Sequence, residues 1–186
     1  MPPKVKITKD DIIRAAFEIV REQGEDALNA RNVASMLGCS TQPIFSNFTS
    51  MDEVRYVVIC KADEMYASFM KDVTNSGLYP PYKASGMAYI RFAAEEKELF
   101  KLLYMRDRSD EKIPETSDLD EQMYGMVSSN TGLDTDTARL FHLEMWAFVH
   151  GIAAMHATGF LTLDTELISR MLTDSYQGLR KQFEGA

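Results

Sequence analysis

The amino-acid sequence predicts an all-α fold, and three observations carry that prediction. Apolar residues recur at three- and four-residue intervals, as in Ile12, Ala15, Ala16 and Val20. Nowhere do apolar and polar residues alternate in the manner of a half-buried strand, and no segment repeats another. Residues that break periodicity, such as Gly24, Gly38 and the stretch 75–81, fall between the periodic runs and set their limits.

Taken in chain order, the first helix holds Ile12 to Val20 and ends at Gln23-Gly24. A short second helix has Asn29 as its N-cap and an apolar face of Val33, Ala34 and Leu37, and Gly38 stops it by taking the left-handed conformation. Ser40 is the expected cap of the third helix. Pro43 lies in that helix's first turn, where the N–H it lacks has no intrahelical partner. Ile44 and Phe48, four apart, face inward and leave Thr41, Gln42, Phe45, Ser46 and Asn47 nearer the outside. Two short helices around a glycine turn, the second exposed and polar, form a helix-turn-helix of the kind that reads base edges in the DNA major groove.

Ser50 and Glu53 then make a capping-box pattern, and Val54, Val57, Val58, Lys61, Met65 and Phe69 continue a helical face to about Val73. Residues 75–81 are loop. Two helices follow between Tyr82 and Tyr104, a polar acidic loop spans Asp107 to Asp120, and a helix is expected around Leu119 to Ser129. The last two run from Asp134 to about Ala157 and from Asp164 to about Phe183.

Charge at first opposes nucleic-acid binding: 20 Lys and Arg stand against 28 Asp and Glu, a net charge of −8 in 186 residues. The imbalance is local. Residues 1–50 carry six basic and six acidic side chains, so the whole excess of negative charge lies in residues 51–186. With 45% hydrophobic residues the chain can bury a sizeable core. It contains no apolar run near the roughly 20 residues of a membrane span, its start has no signal-peptide core, and its two cysteines, Cys39 and Cys60, suit a reducing compartment; a cytoplasmic protein is expected.

Residues 8–54 resemble the DNA-binding domain of TetR-family transcriptional regulators. Ile12, Ala15, Ala16, Phe17 and Val20 with Gln23-Gly24 are similar to the family's first helix, and Ala27-Leu28 with Arg31 to Ala34 to its second. Leu37 to Ser40 resemble the turn, Ile44 to Phe48 the recognition helix, and Thr49 to Val54 the link into the fourth helix. The resemblance implies a homodimer that binds a palindromic operator in double-stranded DNA. Thr41 and Gln42 would contact bases, with Gln42 able to pair bidentately with adenine, while Lys9, Arg31, Ser46 and Asn47 lie near phosphates and Pro43 and Phe45 complete the interface. Phe45 stands where the family usually has Tyr, Ser46 where an aromatic is common, and Met51 where Lys is usual. Each change removes a backbone contact, so binding is expected to be weaker or to lean on backbone amides and on Lys4, Lys6 and Lys9.

The rest of the chain resembles the carboxy-terminal domain of a TetR subgroup marked by a Trp and a His-Gly pair, here Trp146 and His150-Gly151. The expected division is a DNA-binding domain at 1–50 and a helical-bundle domain for ligand binding and dimerisation at 51–186. Met and aromatic side chains make adaptable apolar pockets, which singles out Phe100, Tyr104, Met123, Tyr124, Trp146 and His150 for a small apolar or aromatic effector. Gly151 and Ala154 permit close helix approach and, with Leu167, Met171 and Tyr176, mark the expected dimer interface.

Catalytic signatures are missing: there is no P-loop, no G-x-S-x-G elbow, no H-E-x-x-H and no dinucleotide glycine turn. His142, His150 and His156 share one helix without a Cys or carboxylate at ligand spacing, so neither metal nor cofactor is expected. The sequence therefore points to a non-enzymatic regulator, most simply a repressor released from its operator by its effector. The other reading is a helical protein-interaction module that has lost DNA binding.

Overall fold

The computed structural model describes residues 7–109 and 118–184, and every described element is helical. Lys4 and Lys6, and most of the expected 107–120 loop, lie outside the described residues. The helices are α1 (Lys9–Gln23), α2 (Ala30–Met36), α3 (Gln42–Asn47), α4 (Met51–Asn75), α5 (Pro81–Glu95), α6 (Lys97–Tyr104), α7 (Asp118–Thr131), α8 (Thr135–Thr158) and α9 (Thr165–Glu184). The chain divides into two compact units. One runs up to Ala67 and takes in Glu96–Arg106; the other comprises Ser68–Glu95 and the chain from Asp107 onward.

In the first unit α1 starts with a full capping box. The Thr8 hydroxyl accepts from the Asp11 N–H while the Asp11 carboxylate accepts from the Thr8 N–H, which satisfies two orphan donors. Its inward face is Ile12, Ala15, Ala16, Phe17, Ile19 and Val20, all buried. Gly24, at φ 86°, ends it in a conformation that only glycine adopts without strain, and a 3₁₀ turn at Glu25–Ala27 leads on. Asn29 caps α2 through its side-chain oxygen, bonded by the Arg31 and Asn32 N–H groups. The far end closes as a Schellman motif: Cys39 N–H bonds Ala34 C=O and Gly38 N–H bonds Ser35 C=O, with Gly38 at φ 63°. Val33 and Ala34 are buried as expected, but Leu37 is only half-buried.

Three local expectations need correction. The N-cap of α3 is Thr41 rather than Ser40, and it caps through no side-chain bond, because its backbone is already helical (φ −73°, ψ −12°). The Ser50–Glu53 capping box is only half formed. Ser50 Oγ accepts from Glu53 N–H, but the Glu53 carboxylate turns to Thr49 instead of returning to Ser50. On α4 the buried stripe is Val54, Val58, Ala62 and Tyr66, a strict four-residue step, whereas Val57 and Met65 are only half-buried and Lys61 is exposed. Helix α6 belongs to this unit: Leu99, Phe100, Leu102 and Leu103 are buried, and Arg21 makes a two-pronged ion pair with Glu96 at 2.7 and 2.5 Å.

In the second unit α5 packs on α8, with α7 and α9 against them. Fully buried Phe92 and Phe141 anchor the packing, and Val127, Ala138, Phe141 and Met145 form one core cluster. Tyr82, Tyr176, Leu179 and Phe183 close over it. Gly86 lets helices come close, since a Cβ there would stand 3.3 Å from Leu172 and 3.4 Å from Val149. Asp134 caps α8 with bonds from the Asp136 and Thr137 N–H groups, and Asp164 accepts from the Leu167 N–H at the start of α9. Between these helices Gly159 takes φ 70°, and buried His156 accepts the Leu163 N–H at 3.2 Å, so this histidine pins the turn.

Candidate functional site

The α2–turn–α3 segment is oriented by its two inward residues. Ile44 is fully buried and Phe48 nearly so, which fixes the rotation of a helix only six residues long. Gln42, Phe45 and Ser46 consequently face outward, Phe45 with 52% of its surface exposed, and Thr41, Pro43 and Asn47 flank them. Arg31, at the start of α2, is also exposed. Two of these polar side chains are turned back on their own helix: Ser46 Oγ donates to Gln42 C=O at 2.9 Å, and Asn47 Nδ2 donates to Pro43 C=O at 2.8 Å. A phosphate contact from Ser46 has to break that bond first. Gln42 and Thr41 carry no such side-chain bond.

Lys9 stands at the first position of α1. Its ammonium lies 4.5 Å from the centre of the Phe48 ring and 3.5 Å from Glu53 Oε1. Glu53 Oε2 in turn accepts from Thr49 N–H at 2.7 Å and from Thr49 Oγ1 at 2.9 Å. These Thr49 bonds, with Lys9 adding to them, hold the Glu53 carboxyl below its ordinary range, so it is ionised at neutral pH. Nearby, Arg55 pairs with Glu25 at 2.9 Å and with Asp52 at 3.1 Å. Two cations at the start of α1 and α4 thus already have carboxylate partners.

The body holds its chemistry in two tyrosine–histidine bonds. Tyr82 and Tyr89, seven apart on α5, meet His142 and His150, eight apart on α8, with hydroxyl-to-Nδ1 distances of 3.0 and 2.9 Å. Burial raises the Tyr82 pKa, so its hydroxyl stays protonated and donates. Burial lowers the pKa of His142, against a weaker opposing pull from Asp120, and of His150 likewise, which favours the neutral, accepting imidazole. Tyr124 and Tyr176 pack edgewise or tilted around the first pair. The Trp146 indole stacks on His150 at 5.0 Å and 20°, with 42% of its surface exposed.

The six residues expected to meet an effector are divided between the two units. Phe100 and Tyr104 sit on α6 in the first unit, where Tyr104 packs edgewise on Tyr66 at 5.6 Å. Met123 and Tyr124 are neighbours on α7, the first buried and the second beside His142. Phe100 and Tyr104 pack ring on ring at 5.2 Å, and Trp146 stacks on His150. A cavity of about 240 Å³ in the first unit is lined by Gln23 to Asp26, Glu98, Leu102, Met105 and neighbours, none of them among the six. The tyrosines Tyr82 and Tyr89 were not singled out from the sequence, although a Tyr spacing of seven on one helix opposite a His spacing of eight on another is the periodicity of two matched rungs.

Among the five residues expected at a dimer interface, Gly151, Ala154 and Met171 are half-buried and Leu167 is exposed. Leu143 and Leu140 extend the same exposed face of α8. Tyr176, half-buried like Met171, lies 5.3 Å from Phe141 and 5.9 Å from Tyr82, and stands about 140° around α9 from Met171. Among the described residues no helix is long and apolar enough to cross a membrane, and no cluster of metal-ligating side chains occurs.

An all-α chain with two short helices around a glycine turn, followed by a separate helical body, defines a helix-turn-helix class of protein. The family described as tetracyclin repressor-like, C-terminal domain, matches residues 82–176, just over half of the chain. The chain therefore belongs to the TetR family. Among solved structures it is similar in fold to a member of the TetR family from Streptomyces coelicolor A3, at 18% identity and a TM-score of 0.59, over 89% of this chain and 96% of that one. No curated protein matches the chain.

Proposed function

We propose that this protein is a DNA-binding transcriptional regulator that acts as a cytoplasmic homodimer, most simply a repressor released from a palindromic operator by a small apolar or aromatic effector. The observation that carries the reading is the rotation of α3: with Ile44 and Phe48 buried, Gln42 and Phe45 are presented outward. In this reading residues 1–50 bind DNA and residues 51–186 regulate and dimerise. Thr41 and Gln42 read bases, Pro43 and Phe45 fill the groove, and Lys9, Arg31, Ser46 and Asn47 meet phosphates. Placement in the Trp/His-Gly subgroup is supported by the Trp146–His150 stack, which makes that pair one local unit. The effector then acts by favouring a dimer geometry whose heads no longer match the operator.

Selection from random duplex DNA tests the reading. The expected product is an inverted repeat whose half-sites are centred about 34 Å apart, or a multiple of that. Gln42→Ala is expected to relax specificity at one base pair per half-site by about 1–3 kcal/mol while leaving non-specific affinity nearly unchanged. A second reading, a helical interaction module without DNA binding, is favoured by the bonds that tie Ser46 and Asn47 to their own helix. Recovery of no sequence from the selection selects that alternative.

A further inference from the structure

Glu53 gathers the donors that a DNA phosphate would use. Three of them, the Thr49 N–H, the Thr49 hydroxyl and the Lys9 ammonium, converge on one carboxylate at the junction between α3 and α4. The arrangement is also accessible, with the Lys9 and Glu53 side chains exposed by 49% and 35%. Phe48 holds the ammonium from a third side. At the head of α4, where Met51 supplies no cation, the other basic group, Arg55, is already shared by Asp52 and Glu25. A phosphate that takes Lys9 therefore competes with an anion built into the chain.

We propose that Glu53 is a brake on DNA affinity: its carboxylate occupies Lys9 and Thr49 in the free protein and surrenders Lys9 to the DNA backbone on binding. The inference rests on the DNA-binding reading above and adds to it a residue that sequence alone did not place at the interface. Its thermodynamic mark is an ion count. Freeing Lys9 from Glu53 leaves a bare carboxylate that takes up a cation, which cancels about one of the counterions released from the DNA.

The test measures affinity for the selected palindromic duplex from 50 to 300 mM salt, using the full chain, Glu53→Gln, Lys9→Ala and the double variant. The glutamine amide oxygen still accepts from Thr49, so the turn is kept while the charge is removed. Expected is about three- to tenfold tighter binding by Glu53→Gln and a log–log salt slope steeper by about one unit. Lys9→Ala is expected to cost less than about threefold in the natural background and about tenfold beside Glu53→Gln. Equal affinity and slope for Glu53→Gln and the natural chain, or an equal cost of Lys9→Ala in both backgrounds, overturns the proposal while leaving the DNA-binding reading intact. Failure of the natural chain to bind any duplex overturns both. Thermal melts of all four proteins, together with amide exchange at Thr49, establish that the variants keep the fold and the turn.

Discussion

Helices α1 and α2 carry polar bonds that fix their ends, whereas α5, α8 and α9 are joined to one another by side chains. In the first unit the Thr8–Asp11 box, the Asn29 cap, the Gly38 closure and the Arg21–Glu96 pair each fix a helix terminus. Such short helices are marginal in isolation, so terminal bonds and a few buried side chains carry them. In the second unit side chains meet from helix to helix: Phe141 with Tyr176 and Phe183, Tyr82 with His142, Tyr89 with His150, and Leu172 with the bare backbone of Gly86. End-fixed elements respond to the loss of one polar group, and elements joined by side chains to the loss of volume.

That contrast sets the order of expected effects. Phe141→Ala removes a fully buried ring from the centre of the body core and is expected to cost about 3–5 kcal/mol, read from urea unfolding. A loss below about 1 kcal/mol shows that the body tolerates the void and is less tightly packed than its aromatic contacts imply. Gly24→Ala in the first unit forces a side chain into φ 86°, with Glu98 Oε2 only 2.8 Å from the new Cβ. About 1–3 kcal/mol is expected, again from urea unfolding. Asn29→Ala removes one cap and is expected to cost about 1 kcal/mol, with amide exchange rising first in α2.

Acid is the gentlest way to separate the two regions. All three histidines of the chain, His142, His150 and His156, lie on α8, and none is in the first unit. Burial lowers the folded pKa of His142 and His150 below the unfolded value of about 6.5, so the unfolded chain binds more protons as pH falls through that value. Their stabilisation is complete above about pH 6.5 and is lost progressively below it. Between pH 7 and 5.5, amide protection, corrected for the intrinsic exchange rate at each pH, is expected to fall in α5 and α8 while that of α1 and α2 changes little, and His142→Gln is expected to flatten the response. Equal loss of protection in both regions breaks the comparison.

Much of the helix layout in both units was legible in the sequence because its devices are local. Asn29, Gly38, Asp134 and Asp164 act within a few residues of themselves, and each sits where its residue type predicts. Ser40 misled because Thr41 is already helical in its backbone, so α3 starts without a side-chain cap. Glu53 misled for a related reason: its carboxylate found a neighbouring N–H and hydroxyl on Thr49 and had no need to return to Ser50. The candidate sites were less legible. That Phe100 and Tyr104 join the first unit depends on where a single break at Glu96 sends α6, which no local pattern encodes. The contact of Tyr176 with Phe141 was not legible either, because the two lie 35 positions apart along the chain.

Trp146 is the only tryptophan in the chain, and its ring rests on an imidazole that titrates. The protein thus carries its own optical label at a single known address. Indole emission reports the solvent exposure and protonation of the ring beneath it, so events at this patch of α8 can be followed without attaching a dye.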